Sequence, residues 1–193
     1  MNKNVSRVFI AADHRGVGLK LYLIEMLAAA GYNTVNLGVD DPNTSVDYPD
    51  IAATLADAMI DEPDARGIII CGTGAGVMIA ANRYKHIRAS RCNTPNQARD
   101  DRFHDDTNVL ALAADDIDIE VAFMCVQTFL ESPFDNCERR IRRIQTRSKK
   151  IPQFGGFFYF ILYPIAFFKP VVISLLCLYI FNTFSVSAAC VLK

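Results

Sequence analysis

The chain has 193 residues and a formal net charge of −1, with 21 acidic and 20 basic side chains. This length suits one domain that buries a sizeable core, and the balanced charge argues against a basic surface for nucleic acid. The six cysteines stand singly, without a Cys-x-x-Cys pair, which argues against a zinc ribbon or a disulfide framework. Because no signal-peptide pattern precedes the first predicted strand, we predict a cytoplasmic protein.

Short apolar runs alternate with amphipathic segments along most of the chain. The pattern predicts strands over residues 7–12, 33–37, 67–71, 87–92 and 108–112. It predicts helices over residues 19–30, 94–103, 119–130 and 137–150, and two further helices that begin at residues 48 and 77. Residues 104–107 are predicted to form a loop. Strands that alternate with helices indicate the α/β class, a parallel sheet joined by right-handed crossovers.

One stretch, residues 67–82, joins a buried strand, a glycine-rich turn and the start of a helix. Such a turn points backbone N–H groups at an anion or a developing oxyanion. Cys71 stands at the mouth of the turn, where a helix N-terminus favours the thiolate form. Most single cysteines are small buried apolar residues, but this position favours a catalytic role. We therefore interpret the stretch as an active site.

The glycine turn is not a nucleotide fingerprint, because it lacks the lysine of a Walker loop and the spacing of a dinucleotide motif. Other polar residues follow or flank predicted strands, and parallel sheets bind ligands at the carboxyl ends of their strands. We therefore expect these residues to converge on one edge of the sheet: Asp13, His14, Cys71 and His104. Asp13 and His14 also fit a simple helix cap. The arginines of residues 139–147 fit either a solvated face or a phosphorylated substrate.

Six motifs occur in a fixed order along residues 7–147: ADHRG (12–16), DYP (47–49), ICGTGAG (70–76), IAAN (79–82), IRA (87–89) and HDDTNVL (104–110). Each motif alone is weak, but their conjunction is specific. Together they resemble ribose-5-phosphate isomerase type B and, less closely, the galactose-6-phosphate isomerase subunits of lactose catabolism. The resemblance implies a Rossmann-like three-layer α/β/α sandwich with a parallel sheet.

The resemblance also implies a reaction. The family interconverts ribose 5-phosphate and ribulose 5-phosphate through an enediolate, in the pentose phosphate pathway, without a metal or an organic cofactor. Its site is completed across an interface, which implies a homodimer or a dimer of dimers that binds a small sugar phosphate. Three alternatives stay open: an isomerase of allose or galactose 6-phosphate, a non-catalytic sugar-phosphate-binding protein, and a thiol redox protein. The last lacks a resolving cysteine near Cys71 in sequence.

The roles of single residues are likewise implied by the resemblance. Cys71 would be the base that moves a proton between C1 and C2. His104 would open the furanose ring together with Thr73. The backbone of the turn would stabilise the enediolate oxygen through Gly72, Gly74, Ala75 and Gly76. The remaining contacts would come from Asp13 to the sugar hydroxyls, His14 and Arg140 to the phosphate, Tyr48 to the pocket wall and Asp105 to the substrate.

Three positions depart from the family pattern. Residue 105 is an aspartate where asparagine is common, and Asp115 and Asn136 stand where arginines are usual. Arg140 is the better match for the second of these arginines, with Arg139 as a substitute. Added negative charge near a phosphate dianion weakens its binding, so we expect neighbouring arginines to compensate.

The composition changes abruptly after Lys150. Only Lys169 and Lys193 carry side-chain charge in residues 151–193, and residues 171–192 form an uncharged run of ~20 residues, long enough to cross a bilayer. We therefore divide the chain into an isomerase domain (1–150) and a hydrophobic tail (151–193) outside the family fold. The tail fits a membrane anchor, a buried or swapped extension, or a non-native readthrough. The abrupt change favours the last, so membrane contact is expected only if the tail is native.

Overall fold

The computed structural model describes residues 5–147, where five parallel strands form one sheet in the order β2-β1-β3-β5-β4. The strands are β1 (Val8–Ala12), β2 (Thr34–Gly38), β3 (Arg66–Cys71), β4 (Ala89–Arg91) and β5 (Val109–Ala113). The helices are α1 (Val17–Ala29), α2 (Tyr48–Ala58), α3 (Ala75–Ala81), α4 (Pro95–Asp105), α5 (Ile119–Glu131) and α6 (Glu138–Arg147). A short 3-10 helix (His14–Gly16) precedes α1.

The sheet is covered on both faces, which confirms the predicted three-layer α/β/α arrangement. Every residue of β1 and β5 is buried, so these strands show an unbroken apolar run instead of alternation. Successive side chains of a strand point to opposite faces. Val8 and Ile10 thus join a core with α1 and α5, whereas Phe9 and Ala11 join a second core with α2 and α3.

Several helix ends lie where the sequence predicts them. Gly31 follows α1 with a φ of 76°, a conformation that favours glycine at a helix C-terminus. Pro49 occupies the first turn of α2, where a missing N–H costs nothing. The Thr94 hydroxyl caps α4 by accepting a hydrogen bond from Gln97 N at 3.3 Å.

Two predicted boundaries are wrong. β4 is only three residues long, because the Asn82 side chain already bonds both the N–H and the carbonyl of Ala89. α4 continues to Asp105, so His104 and Asp105 lie in its last turn and not in a loop. The helix ends at Asp106, which adopts a left-handed conformation with a φ of 51°.

The strand order creates a switch point at β1, which has β2 on one side and β3 on the other. Connections leave the sheet in opposite directions there, so a crevice opens beyond the carboxyl ends of β1 and β3. Within residues 5–147, no helix is long and apolar enough to cross a membrane. The predictions made for the tail, residues 151–193, fall outside the described residues.

Candidate active site

Cys71 is the last residue of β3 and lies under the glycine turn, with 5% of its surface exposed. Gly74 N donates a hydrogen bond to Cys71 Sγ at 3.1 Å. Gly74 has a φ of 71°, and a Cβ placed there would lie 3.0–3.2 Å from the backbone of Leu112 and Ala113. Only glycine fits this position, so the turn is shaped to bring a backbone N–H to the sulfur.

Asp13 occupies the neighbouring strand end, next to Cys71 across the switch point. Its Oδ1 accepts hydrogen bonds from Arg15 N at 2.9 Å and Gly16 N at 3.2 Å, which makes it the cap of the 3-10 helix. Its own N–H bonds Ile70 O at 3.1 Å. Both interpretations of Asp13 therefore survive, because the cap uses one carboxylate oxygen and no residue of 5–147 engages Oδ2.

His14 and Tyr48 approach the same mouth from the side of β2. His14 Nδ1 lies 3.5 Å from Val46 N, a long hydrogen bond. The Tyr48 ring lies against the turn, 3.3 Å from the position of a Cβ on Gly76. A cavity of about 620 Å³, lined in part by Val46, adjoins this side. Thr73 and Tyr48 are both exposed, so they are accessible to a ligand above Cys71.

An ion pair crosses the mouth above Gly72, and sequence reasoning did not find it. Arg15 Nη2 pairs with Asp115 Oδ2, which joins the loops after β1 and β5. Asp115 N also bonds Gly72 O at 3.0 Å, and Ala114 N bonds Cys71 O at 2.9 Å. The sequence did contain a sign of this pair, since Arg15 and Asp115 have opposite charges and each follows a central strand. It was weak because 100 residues separate them.

His104 and Asp105 lie at the opposite edge of the sheet, so the prediction that His104 shares an edge with Cys71 is wrong within one chain. α4 begins after β4 and returns to the amino end of β5, where Asn108 N bonds Arg88 O at 3.1 Å. Cys71 pairs in register with the last residue of β5. The length of β5 separates the two edges by about 13 Å, at ~3.3 Å per residue.

Arg140 belongs to the amino edge as well. Its Nη1 donates to Phe103 O at 2.8 Å and its Nε lies 3.1 Å from Asp135 Oδ2. The guanidinium also lies 4.9 Å from the centroid of the Phe103 ring. The structure therefore joins Arg140 to the end of α4, next to His104. Arg139, the predicted substitute, is exposed on α6.

Arginines hold the residue that ends α4. Arg88 donates to Asp106 O at 2.6 Å and to Asp106 Oδ2 at 2.7 Å, and Arg102 pairs with the other carboxylate oxygen. Burial, together with the charge of Arg102, lowers the pKa of Arg66 to about 10. Asp106 therefore pairs with both Arg88 and Arg102, and these ion pairs hold the end of α4, where His104 and Asp105 lie.

Cys92, Cys125 and Cys137 are predicted to be packing residues; Cys92 and Cys125 are buried in the core, whereas Cys137 is only half-buried. A hydrogen bond with Cys125, together with burial, raises the pKa of the Cys92 thiol. Cys71, Cys92, Cys125 and Cys137 are all free thiols. Residues 5–147 contain no group of three acidic, histidine or cysteine side chains that could hold a metal ion. His86 Nε2 forms a 2.8 Å hydrogen bond with Ala56 O in α2.

Comparison with known proteins agrees with this geometry. A family model described as ribose/galactose isomerase matches residues 8–146. The chain belongs to the ribose/galactose isomerase family. The family assignment confirms the resemblance predicted from the motifs, and it makes the protein a member of a family of sugar phosphate isomerases.

Three relatives illustrate the likeness. A ribose 5-phosphate isomerase structure from Thermotoga maritima is 40% identical, with a TM-score of 0.70 over 73% of this chain and 96% of that one. Ribose-5-phosphate isomerase B from Mycoplasma genitalium, solved with bound ribulose-5-phosphate, is 36% identical, with a TM-score of 0.70 over 74% and 93%. Ribose-5-phosphate isomerase B from Escherichia coli is 34% identical over 131 residues, 68% of this chain and 87% of the relative.

Proposed function

We propose that the protein interconverts ribose 5-phosphate and ribulose 5-phosphate. The observation that carries the proposal is the Cys71 sulfur, held by Gly74 N–H at 3.1 Å beside the buried Asp13 carboxylate. An aldose–ketose isomerase requires a base that takes up and returns a proton, and a cysteine sulfur hydrogen-bonded by a backbone N–H can serve as this base. The Mycoplasma genitalium relative with bound ribulose-5-phosphate supports the choice of a pentose phosphate.

The reaction needs one base and one oxyanion site. Starting from the aldose, the Cys71 thiolate takes the proton from C2 as the C2–H bond breaks and an enediolate forms. The same proton goes to C1, and the hydroxyl proton of O2 passes to O1, so no oxidant or reductant takes part. Backbone N–H groups of the turn, from Gly72 to Gly76, would stabilise the enediolate oxygen. Asp13 would hold the sugar hydroxyls through its available oxygen.

A second copy of the chain would complete the site. His104 lies at the amino edge of the sheet, which the length of β5 separates from the Cys71 edge by about 13 Å at ~3.3 Å per strand residue, whereas proton transfer needs hydrogen-bond reach. We propose that the amino edge of a partner chain brings His104 and Asp105 to the mouth, together with Arg140. His104 and Thr73 would then open the furanose ring. The protein would accordingly work as a homodimer or a dimer of dimers in the cytoplasm, with residues 1–150 as the isomerase domain.

The second candidate is an isomerase of a hexose 6-phosphate or a sugar-phosphate-binding protein without turnover. Asp105 and Asp115 motivate it, because they stand where an asparagine and an arginine are common in the family pattern. The proton-transfer residues Cys71 and His104 argue against a pure binding role, because binding alone does not require them.

The test is ribulose 5-phosphate formation by the full-length protein, with Cys71→Ala and Cys71→Ser beside it. Allose 6-phosphate and galactose 6-phosphate serve as competing substrates. Cys125→Ala is the matched control, because it removes a free thiol that is buried in the core with α1 and α5. We expect turnover that is lost in both Cys71 variants and retained in the control. Binding of ribose 5-phosphate without turnover would favour the second candidate.

A further inference from the structure

We propose that Arg15 is an anion-binding residue of the Cys71 pocket, and that Asp115 moderates its charge. The inference rests on the proposed function, because it assigns the phosphate of the substrate to this guanidinium. It adds a residue to the site, since the sequence resemblance placed no substrate contact at position 15.

The position of Arg15 is the first argument. A Cβ placed on Gly72 would lie 2.6 Å from both Nε and Nη1 of Arg15, so the guanidinium lies directly on the backbone of the turn. Gly72 follows Cys71, and it must be a glycine for the guanidinium to approach this closely. Arg15 also follows His14, the predicted phosphate ligand, in the same short helix. The guanidinium therefore lies on the residue that follows Cys71, and Arg15 is next in sequence to the predicted phosphate ligand.

The hydrogen bonds of Arg15 are the second argument. Only Nη2 is engaged among the residues of 5–147, by Asp115 Oδ2, and the Arg15 side chain is 53% exposed. A guanidinium has five N–H donors in a fixed fork, which suits the oxygens of a phosphate. Arg15 therefore keeps donors for a ligand while Asp115 fixes its orientation.

The support for Asp115 is the third argument. Its N–H bonds Gly72 O at 3.0 Å, so the carboxylate is anchored to the same turn that Arg15 covers. An exposed ion pair contributes little to stability, so stability does not explain why the pair is built across a pocket. The pair has a functional consequence instead: Arg15 attracts a dianion, whereas Asp115 opposes it.

The experiment compares full-length wild type with Arg15→Ala, Arg15→Lys, Asp115→Asn and the double variant Arg15→Ala/Asp115→Asn. It measures binding of inorganic phosphate by calorimetry, and KM and kcat for ribose 5-phosphate. Arg15→Ala should weaken phosphate binding and raise KM by about tenfold, with kcat within about twofold, because one charge-assisted contact is lost. Arg15→Lys should recover part of this loss. Asp115→Asn should change both quantities by about threefold in the opposite direction.

The double variant distinguishes direct binding from charge neutralisation. If Arg15 contacts the phosphate, the double variant should stay about threefold weaker than wild type, because the threefold gain offsets only part of the tenfold loss. If Arg15 only neutralises Asp115, the double variant returns to wild-type affinity, which would overturn the proposal. Arg7→Ala is the matched control, because Arg7 forms an exposed ion pair with Glu62 at the amino end of β1. It should leave affinity and KM unchanged within about twofold.

The phosphate measurement separates this inference from the proposed function. Weaker phosphate binding by Arg15→Ala in a protein that does not turn over ribose 5-phosphate would support the anion site and reject the isomerase. Turnover by the wild type, with phosphate affinity and KM unchanged in Arg15→Ala, would support the isomerase and reject the anion site. Thermal midpoints of all variants should agree with wild type, because the exposed side chain contributes little to folding.

Discussion

At the carboxyl edge of the sheet, a backbone N–H holds the candidate base, whereas at the amino edge charged side chains hold the end of α4. At the carboxyl edge, Gly74 N–H reaches Cys71 Sγ through a turn that excludes any side chain at Gly74. At the amino edge, Asp106 is held by arginines and positions the end of α4. The first edge holds the candidate base and the second holds His104, so neither edge has the complete chemistry.

This difference fits the proposed shared site, in which one copy of the chain contributes Cys71 and a second copy contributes His104. A backbone-built pocket is rigid, which suits stabilisation of a developing oxyanion. Ion pairs that hold the end of α4 would let His104 and Asp105 reach the pocket of a neighbouring chain.

Mixing two inactive variants tests whether the edges cooperate between chains. Cys71→Ala and His104→Ala should each lose about 10²–10⁴-fold in kcat, the usual contribution of an acid–base group. Refolded together in equal amounts, they should regain about a quarter of wild-type activity, because half of the twofold-symmetric dimers are hybrids with one intact site. The readout is ribulose 5-phosphate formation against the mixing ratio. A mixture as inactive as its components would contradict a shared site.

Loss of the Asp106 charge tests the ion pairs of the amino edge. Asp106→Asn keeps the size and tolerates the left-handed conformation, but leaves Arg88 and Arg102 without their anion. We expect a fall of about 3 kcal/mol in the free energy of unfolding, measured by denaturant titration. Asp100→Asn, which breaks an exposed pair with Arg99, is the control and should cost under about 0.5 kcal/mol. Equal losses in the two variants would reject a structural role for Asp106.

A glycine substitution tests the backbone geometry of the carboxyl edge. Gly74→Ala should lower the free energy of unfolding by about 1–3 kcal/mol, because its φ of 71° is strained for alanine and a Cβ would meet the backbone of β5. Gly18→Ala is the matched control, since nothing lies within 4 Å of a Cβ at this position in α1. It should stabilise the protein by about 0.5–1 kcal/mol. A neutral Gly74→Ala variant would mean that the turn tolerates a side chain.

Two aspartates should respond to pH with opposite signs. Burial, with Asp105 nearby, raises the pKa of Asp101 in α4 above its ordinary 3.8, so its ionised form costs stability at neutral pH. A hydrogen bond from Lys20 lowers the pKa of Asp40 below 3.8, so its ionised form adds stability. Thermal midpoints at pH 7 should therefore rise in Asp101→Asn and fall in Asp40→Asn.

The pH series supplies the control for this last prediction. The Asp101→Asn gain should shrink as the pH falls through the raised native pKa toward 3.8, because the native carboxyl then protonates. The Asp40→Asn loss should persist down to about pH 4 and disappear only as the pH falls through the lowered native pKa, below 3.8. An Asp101→Asn gain that stays constant from about pH 8 to pH 3.8, or an Asp40→Asn loss that disappears above about pH 5, would contradict the assigned causes.

Local patterns in the sequence determined much of this protein. Short apolar runs predicted all five strands, and their alternation with amphipathic segments predicted the α/β class. The glycine turn with Cys71 was recognisable because a strand, a turn and a helix are adjacent in sequence. Motif order then identified the family, and Pro49 and Thr94 marked helix starts through their own backbone chemistry.

Only the tertiary structure decided which residues meet. The apolar pattern of α4 could not reveal its end, because that end depends on Asp106 and on its ion pair with Arg88, which lies outside the helix. The helix length in turn placed His104 at the amino edge, away from Cys71. Arg15 and Asp115 are 100 residues apart, and their pairing across Gly72 follows from strand order alone. Local propensity acts over a few residues, whereas a site at strand ends depends on how distant strands are arranged.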